Sequence, residues 1–67
     1  MIEKIGHNIK MARIHLRLTQ ENVASLLGCS QQMIEVIERG KTHGKFLMKY
    51  LILLKKNGIS IDDIFKE

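Results

Sequence analysis

Residues 19–40, TQENVASLLGCSQQMIEVIERG, read as two short helices that meet at a tight turn. Thr19 has the side chain an N-cap needs, and Val23, Ala24 and Leu27 recur behind it at helical spacing. Gly28 stands where a helix ending in left-handed geometry most favours glycine, because no Cβ has to be accommodated there. Ser30 can cap a second helix whose Ile34 and Ile37 face back onto the first, with Met33 at their flank. Ala24 is small enough to let the two helices cross closely. The spacing predicts helices over 19–27 and 30–39.

That is the layout of a helix-turn-helix, in which the second helix is offered to the DNA major groove. Residue by residue, the stretch also resembles the Cro/phage-repressor type often called the Xre family. The matching pieces are Leu18-Thr19-Gln20 opening the first helix, Ala24, Gly28 at the turn, Ile34, and Glu38-Arg39-Gly40-Lys41 closing the second. With the flanking helices the resemblance covers nearly the whole chain. It implies an all-α fold, a five-helix bundle of the lambda-repressor-like DNA-binding type, with helices 2 and 3 as the helix-turn-helix.

Upstream, Ile2, Ile5, Ile9, Ala12 and Leu16 fall close to one stripe and predict a helix over 2–16. Gly6 lies inside it, at a cost of about 1 kcal/mol relative to alanine, so a frayed first turn is expected. In the repressors the chain resembles, an arginine at the place of Arg13 pairs with a glutamate at the place of Glu38. Such a pair ties the first helix to the third, and losing one partner leaves an uncompensated charge. The alternative is that both are solvated surface charges.

At 100° steps, Ile34 and Ile37 define the inward side of the third helix, and Gln31, Gln32, Glu35, Val36 and Arg39 fall outward. A helix face chosen only for solubility is usually filled with Lys and Glu, whereas adjacent glutamines each offer a donor and an acceptor. Glutamine can bond bidentately to adenine N6/N7, and Val36 can meet a thymine methyl. Glu35 can accept from cytosine N4 or hold Arg39 or a glutamine in place. Repressors with a Ser/Thr-Gln-Gln start to this helix contact base edges with both glutamines, which here are Gln31 and Gln32. Val36 departs from that pattern, standing where a third glutamine can occur. The bland reading is the polar face of an amphipathic helix.

Phosphate contacts should flank the reading helix, since they set its register without reading sequence. Gln20 resembles the family glutamine that bonds phosphate at the start of the second helix. Arg39 and the basic segment Lys41-Thr42-His43-Gly44-Lys45 lie beside the outward face, so Arg39, Lys41, Thr42, His43 and Lys45 are the expected backbone contacts. The alternative for this segment is an ordinary solvated loop.

A fourth helix is expected over 46–56, its Phe46, Leu47, Tyr50, Leu51 and Leu54 completing the core. Met48 and Ile52 lie about opposite, either as scattered exposure or as part of a subunit interface. After Asn57-Gly58, Ser60 can cap a last short helix carrying Asp62 and Asp63 at its start. The resemblance implies a dimer contact at this end, centred on Ile59, Ile61 and Phe65.

Sixty-seven residues fit one domain, 1–67, of modest stability. A single cysteine excludes an intrachain disulfide and points to a reducing compartment; Cys29 itself is read as a small apolar packing group. No apolar run is long enough to span a membrane, and MIEKIGHNIK lacks the shape of a signal peptide, so a cytoplasmic protein with no membrane partner is expected. Eleven Lys+Arg against seven Asp+Glu give +4, the sign suited to a polyanion. Phe46, Tyr50 and Phe65 are too few for a base-stacking platform, which disfavours single-strand binders. His7, His15, His43 and Cys29 lack zinc-ligand spacing, and no nucleophile has a patterned base. No metal, cofactor, small-molecule ligand or catalysis is expected.

The expected function is a sequence-specific, double-stranded DNA-binding transcriptional regulator, repressor-like, acting as a homodimer on an inverted repeat. The alternative is a protein-interaction module, a partner or antitoxin-like subunit, that keeps the fold without reading DNA. Glu35 and the apolar Met48/Ile52 pair favour that second reading.

Overall fold

Five helices organise the described residues, 2–41 and 44–66, of this computed structural model. They are α1 (Ile2–His15), α2 (Gln20–Leu27), α3 (Gln31–Glu38), α4 (Lys45–Lys56) and α5 (Ile61–Ile64), and no strand occurs among the described residues. The fold is all-α.

Local chemistry accounts for where the two central helices begin. Thr19 Oγ1 accepts from the Asn22 backbone N–H at 2.9 Å, and Asn22 Oδ1 accepts from the Thr19 N–H at 3.0 Å. This is a reciprocal capping box with asparagine in the place more often held by Glu or Gln. Ser30 Oγ accepts from the Met33 N–H at 3.2 Å and starts α3. Ser60 differs from expectation: it holds the N-cap position of α5, but its hydroxyl makes no capping bond. Its carbonyl instead accepts from the Asp63 and Ile64 N–H groups at 3.2 and 3.3 Å. Helix α4 begins at Lys45, one residue earlier than the pattern of apolar residues suggests.

The four longer helices all end by the same backbone device. An N–H reaches back five residues, from Leu18 to Arg13, Cys29 to Ala24, Lys41 to Val36 and Ile59 to Leu54, at 3.0–3.1 Å. The residue that makes each closure possible lies in the left-handed region. Three of these are glycines, whereas α1 uses Arg17 at φ 62°. At Gly28 (φ 72°, ψ 36°) a Cβ would meet nothing within 4 Å, so glycine is favoured there by conformation alone.

Gly6 is the opposite case and corrects the expectation of a weak spot in α1. A Cβ there would stand 2.6 Å from the Glu38 carbonyl oxygen and 2.8 Å from both the Ile37 carbonyl oxygen and the Gly40 nitrogen. The missing side chain lets α1 lie directly against the end of α3. Here glycine supplies space between backbones.

Ile9 and Ala12 of α1, Val23 and Ala24 of α2, and Ile34 and Ile37 of α3 meet in one core with Tyr50, Leu51 and Leu54 of α4 and Ile64 of α5. Ile5, Leu16, Cys29 and Met33 pack partly buried around it, which places the lone cysteine among apolar neighbours. Asn8 joins the two ends of the chain: its Nδ2 donates to the Ile64 and Lys66 carbonyls at 2.8 and 3.0 Å. No helix among the described residues is long and apolar enough to cross a membrane.

Candidate nucleic-acid interface

The outward side of α3 is held in place by a carboxylate on its inward side. Glu38 is 7% exposed and accepts from three other helices. Arg13 of α1 donates Nε to Oε2 at 2.7 Å and Nη2 to Oε1 at 3.2 Å. Tyr50 of α4 donates its hydroxyl to Oε2 at 2.5 Å, and Gln20 of α2 donates Nε2 to Oε1 at 3.1 Å. The remaining Arg13 nitrogen, Nη1, donates to the Leu18 carbonyl at 2.8 Å.

A buried carboxylate is costly unless charge and hydrogen bonds compensate it. Burial pushes the Glu38 pKa upward, but the bonds from Arg13, Tyr50 and Gln20 outweigh it and hold the group below its ordinary value. Hydrogen bonding to Glu38 raises the Arg13 pKa despite burial. Burial, reinforced by Glu38, raises the Tyr50 pKa far above its ordinary value, so the phenol remains a donor at any ordinary pH. The charges and donors are therefore permanent near neutrality, and α3 is clamped against α1, α2 and α4.

From this clamp a polar chain runs to the surface. Gln20 uses its amide nitrogen on Glu38 and its amide oxygen to accept from Gln31 Nε2 at 3.4 Å. Gln31, Gln32, Glu35 and Val36 are all exposed on one side of α3, beyond the turn at Gly28. Glu35 and Arg39 form an i,i+4 pair at 2.7 Å, so the Arg39 guanidinium is shared with a carboxylate. Gln20 is half-buried, and Lys41 and Lys45 are exposed on either side of the loop after α3. Thr42 and His43 lie outside the described residues.

This arrangement of a capped helix, a left-handed turn and a second helix with an exposed polar face can be compared with known proteins. A family model described as helix-turn-helix matches residues 9–44. A helix-turn-helix-type transcriptional regulator of Methanocaldococcus jannaschii, itself uncharacterized, is 39% identical over 59 residues, 88% of each chain. The chain belongs to the helix-turn-helix family of Xre type. No solved structure matches it. Membership places this helix-turn-helix chain among DNA-binding regulators, not enzymes.

Within the helix-turn-helix frame, three features escape a reading by residue pattern. Tyr50 has the spacing of a core apolar residue and is fully buried, yet its hydroxyl is a ligand of Glu38. The signal was the residue type: a buried tyrosine hydroxyl usually needs a partner. Lys10 lines a cleft with Gln20, Glu35, Glu38 and Arg39, bringing a cation of α1 to the side on which α3 is exposed. Phe46 carries the ammonium groups of Lys45 and Lys49 at 5.4 and 5.2 Å from its ring centre, which holds two cations at the start of α4.

The residues expected at a dimer contact divide in two. Met48, Ile52 and Phe65 are half-exposed or more, at 57%, 50% and 50%, and border an apolar groove of about 260 Å³ with Leu51, Lys55 and Ile61. Ile59 and Ile61 instead pack partly buried against their own core.

Proposed function

We propose that this chain is a sequence-specific, repressor-like transcriptional regulator that binds an inverted-repeat operator as a homodimer, with α3 in the major groove. One observation carries the reading: Gln31, Gln32 and Val36 stand exposed together on a helix whose inward side is clamped by Arg13, Gln20 and Tyr50. An α-helix with its side chains is about 10–12 Å across, a diameter suited to a groove about 12 Å wide. Gln31 and Gln32 read base edges, Val36 meets a thymine methyl, and Glu35 positions Arg39 or accepts from a base. Gln20, Arg39, Lys41, Thr42, His43 and Lys45 hold phosphates. The single domain, 1–67, acts in the cytoplasm by occlusion or recruitment at a promoter.

A dimer is favoured by size and by surface. The longest extent of the chain is 28 Å, whereas half-site centres one helical turn apart are about 34–36 Å from each other. The apolar groove bordered by Met48, Ile52 and Phe65 offers a contact between two copies.

Selecting bound sequences from a random duplex pool tests the reading, and an inverted repeat should emerge. Gln32→Ala should then lose discrimination at one base pair by roughly 1–3 kcal/mol, while Lys41→Ala should weaken all sequences alike and flatten the salt slope. Equal effects of both changes on every sequence would refute the assigned roles. The Glu35–Arg39 pair, which neutralises a cation on the outward face, favours the second reading of an interaction module. Such a module should show almost no dependence of duplex binding on salt.

A further inference from the structure

We propose that the groove between the C-terminal end of α2 and α4 is a docking site for a short acidic amphipathic helix of a second protein. Leu26, Leu27, Ile52 and Leu53 form its floor, and Lys49 and Lys56 stand on its rim, enclosing about 280 Å³. Leu26 is 62% exposed and Ile52, which stands between this groove and the one at Met48 and Phe65, is 50% exposed, so the apolar lining is open to solvent in the single chain. No carboxylate among the described residues lines the groove, and α4 itself, KFLMKYLILLKK, carries none.

Four aliphatic side chains in a concavity call for apolar anchors, and two lysines seven residues apart on one helix call for carboxylates beside them. Lys49 and Lys56 are separated by about 10 Å along α4, two helical turns. An incoming helix with apolar residues at i, i+3, i+4 and i+7 and glutamates flanking them meets both demands.

Three other occupants fit less well. Duplex DNA offers phosphates to the lysines but nothing to the exposed leucine and isoleucine. A second copy docking groove to groove about a two-fold axis would set Lys49 and Lys56 against their own equivalents. The α4–α5 side differs in this respect, because Lys55 there lines a cleft together with a carboxylate residue, Asp62. A flat anionic membrane does not fill a concave site. Leu26 is six residues along α2 from Gln20, so the site is separate from the polar chain that ends at Gln31. The inference stands or falls independently of base reading by α3.

The test uses the full chain and three labelled helical peptides of about 15 residues, long enough for helix formation. One has aliphatic anchors flanked by glutamates, one has the same anchors flanked by lysines, and one keeps the glutamates with serine at the anchors. Fluorescence anisotropy should show saturable one-to-one binding of the first and at least tenfold weaker binding of the other two. Leu26→Glu, at an exposed position that leaves the core intact, should weaken the first peptide at least tenfold. Lys49→Glu with Lys56→Glu should reverse the preference toward the lysine-flanked peptide, with circular dichroism confirming unchanged helix content. Failure of the first peptide to bind, or equal binding of the serine peptide, overturns the proposal. So does an unchanged affinity for Leu26→Glu. Sedimentation as a dimer that Leu26→Glu dissociates would identify a second copy as occupant, and capture by phosphatidylserine vesicles without peptide binding would identify a membrane; either result overturns it too.

Discussion

Glu38 accepts hydrogen bonds from residues on three other helices, which makes it the residue on which the orientation of α3 depends. Tyr50→Phe removes one donor while leaving Arg13 in place, and thermal or urea unfolding should show a loss of about 2 kcal/mol. Arg13→Met leaves the carboxylate buried without its cation and should cost about 3–5 kcal/mol. The sign of the pH effect follows from the lowered Glu38 pKa. Its stabilisation is fully present above the ordinary carboxylate value of 4.5 and is lost as pH falls through the lower folded value. Stability measured against pH should therefore decline on the acid side, and the decline should be shallower in Glu38→Gln, which is less stable near neutrality. Gly6→Ala reverses a local rule. Helix propensity alone favours alanine by about 1 kcal/mol, but the Cβ would press on the backbone of α3, so a net loss of about 2 kcal/mol is expected. Tyrosine at a core position signals that its hydroxyl needs a partner, but neither that partner nor the space need of Gly6 was legible in the sequence. Both depend on which helix lies opposite.

At the scale of the element, α2 and α3 owe their limits to residues within a turn of each end. Ser30→Ala removes the bond to the Met33 N–H and should cost about 1 kcal/mol, read by chemical denaturation. The end of α1 is the exception, because Arg17 takes the left-handed conformation that the other long helices leave to glycine. Arg17→Gly should stabilise the fold by up to about 1 kcal/mol, since the Cβ strain is relieved and the helix closure is kept. A loss of stability on that change would mean that the arginine side chain contributes more than the strain costs. The outward face of α3 was legible because its inward positions, Ile34 and Ile37, are unambiguous at 100° steps. The pairing of Glu35 with Arg39 was one of three roles the sequence left open to Glu35, beside accepting from cytosine N4 and holding a glutamine.

For the whole molecule, the question is how a chain 28 Å long addresses a symmetric operator. If two copies meet across the groove at Met48 and Phe65, Met48→Asp together with Phe65→Asp should leave the helix content of each chain unchanged, since both side chains are at least half-exposed in the single chain. The same variant should lose at least tenfold in affinity for a paired operator while binding a single half-site as before, in gel-shift or anisotropy titrations. Inserting about half a helical turn of DNA between the half-sites should have the same effect on the unaltered protein, because the two reading helices would no longer face the same side. The tying of Asn8 to the carbonyls of Ile64 and Lys66 belongs to this scale as well. It holds α5, and with it Phe65, at a set place relative to α1.

Helix limits, the left-handed turn at Gly28 and the inward stripe of α3 were decided by the sequence itself, because each depends on groups no more than a few residues apart. The family resemblance added the Arg13–Glu38 pair, which local pattern left open. Tertiary structure alone decided that Tyr50 and Gln20 complete that pair, that Gly6 is a crossing point, and that Leu26 borders a lysine-rimmed groove. The bonds of Tyr50 and Gln20 to Glu38 join residues 12 and 18 positions apart in the chain, and Gly6 meets the backbone of a different helix. Their energies depend on how close two helices come, a distance that no window of neighbouring residues contains.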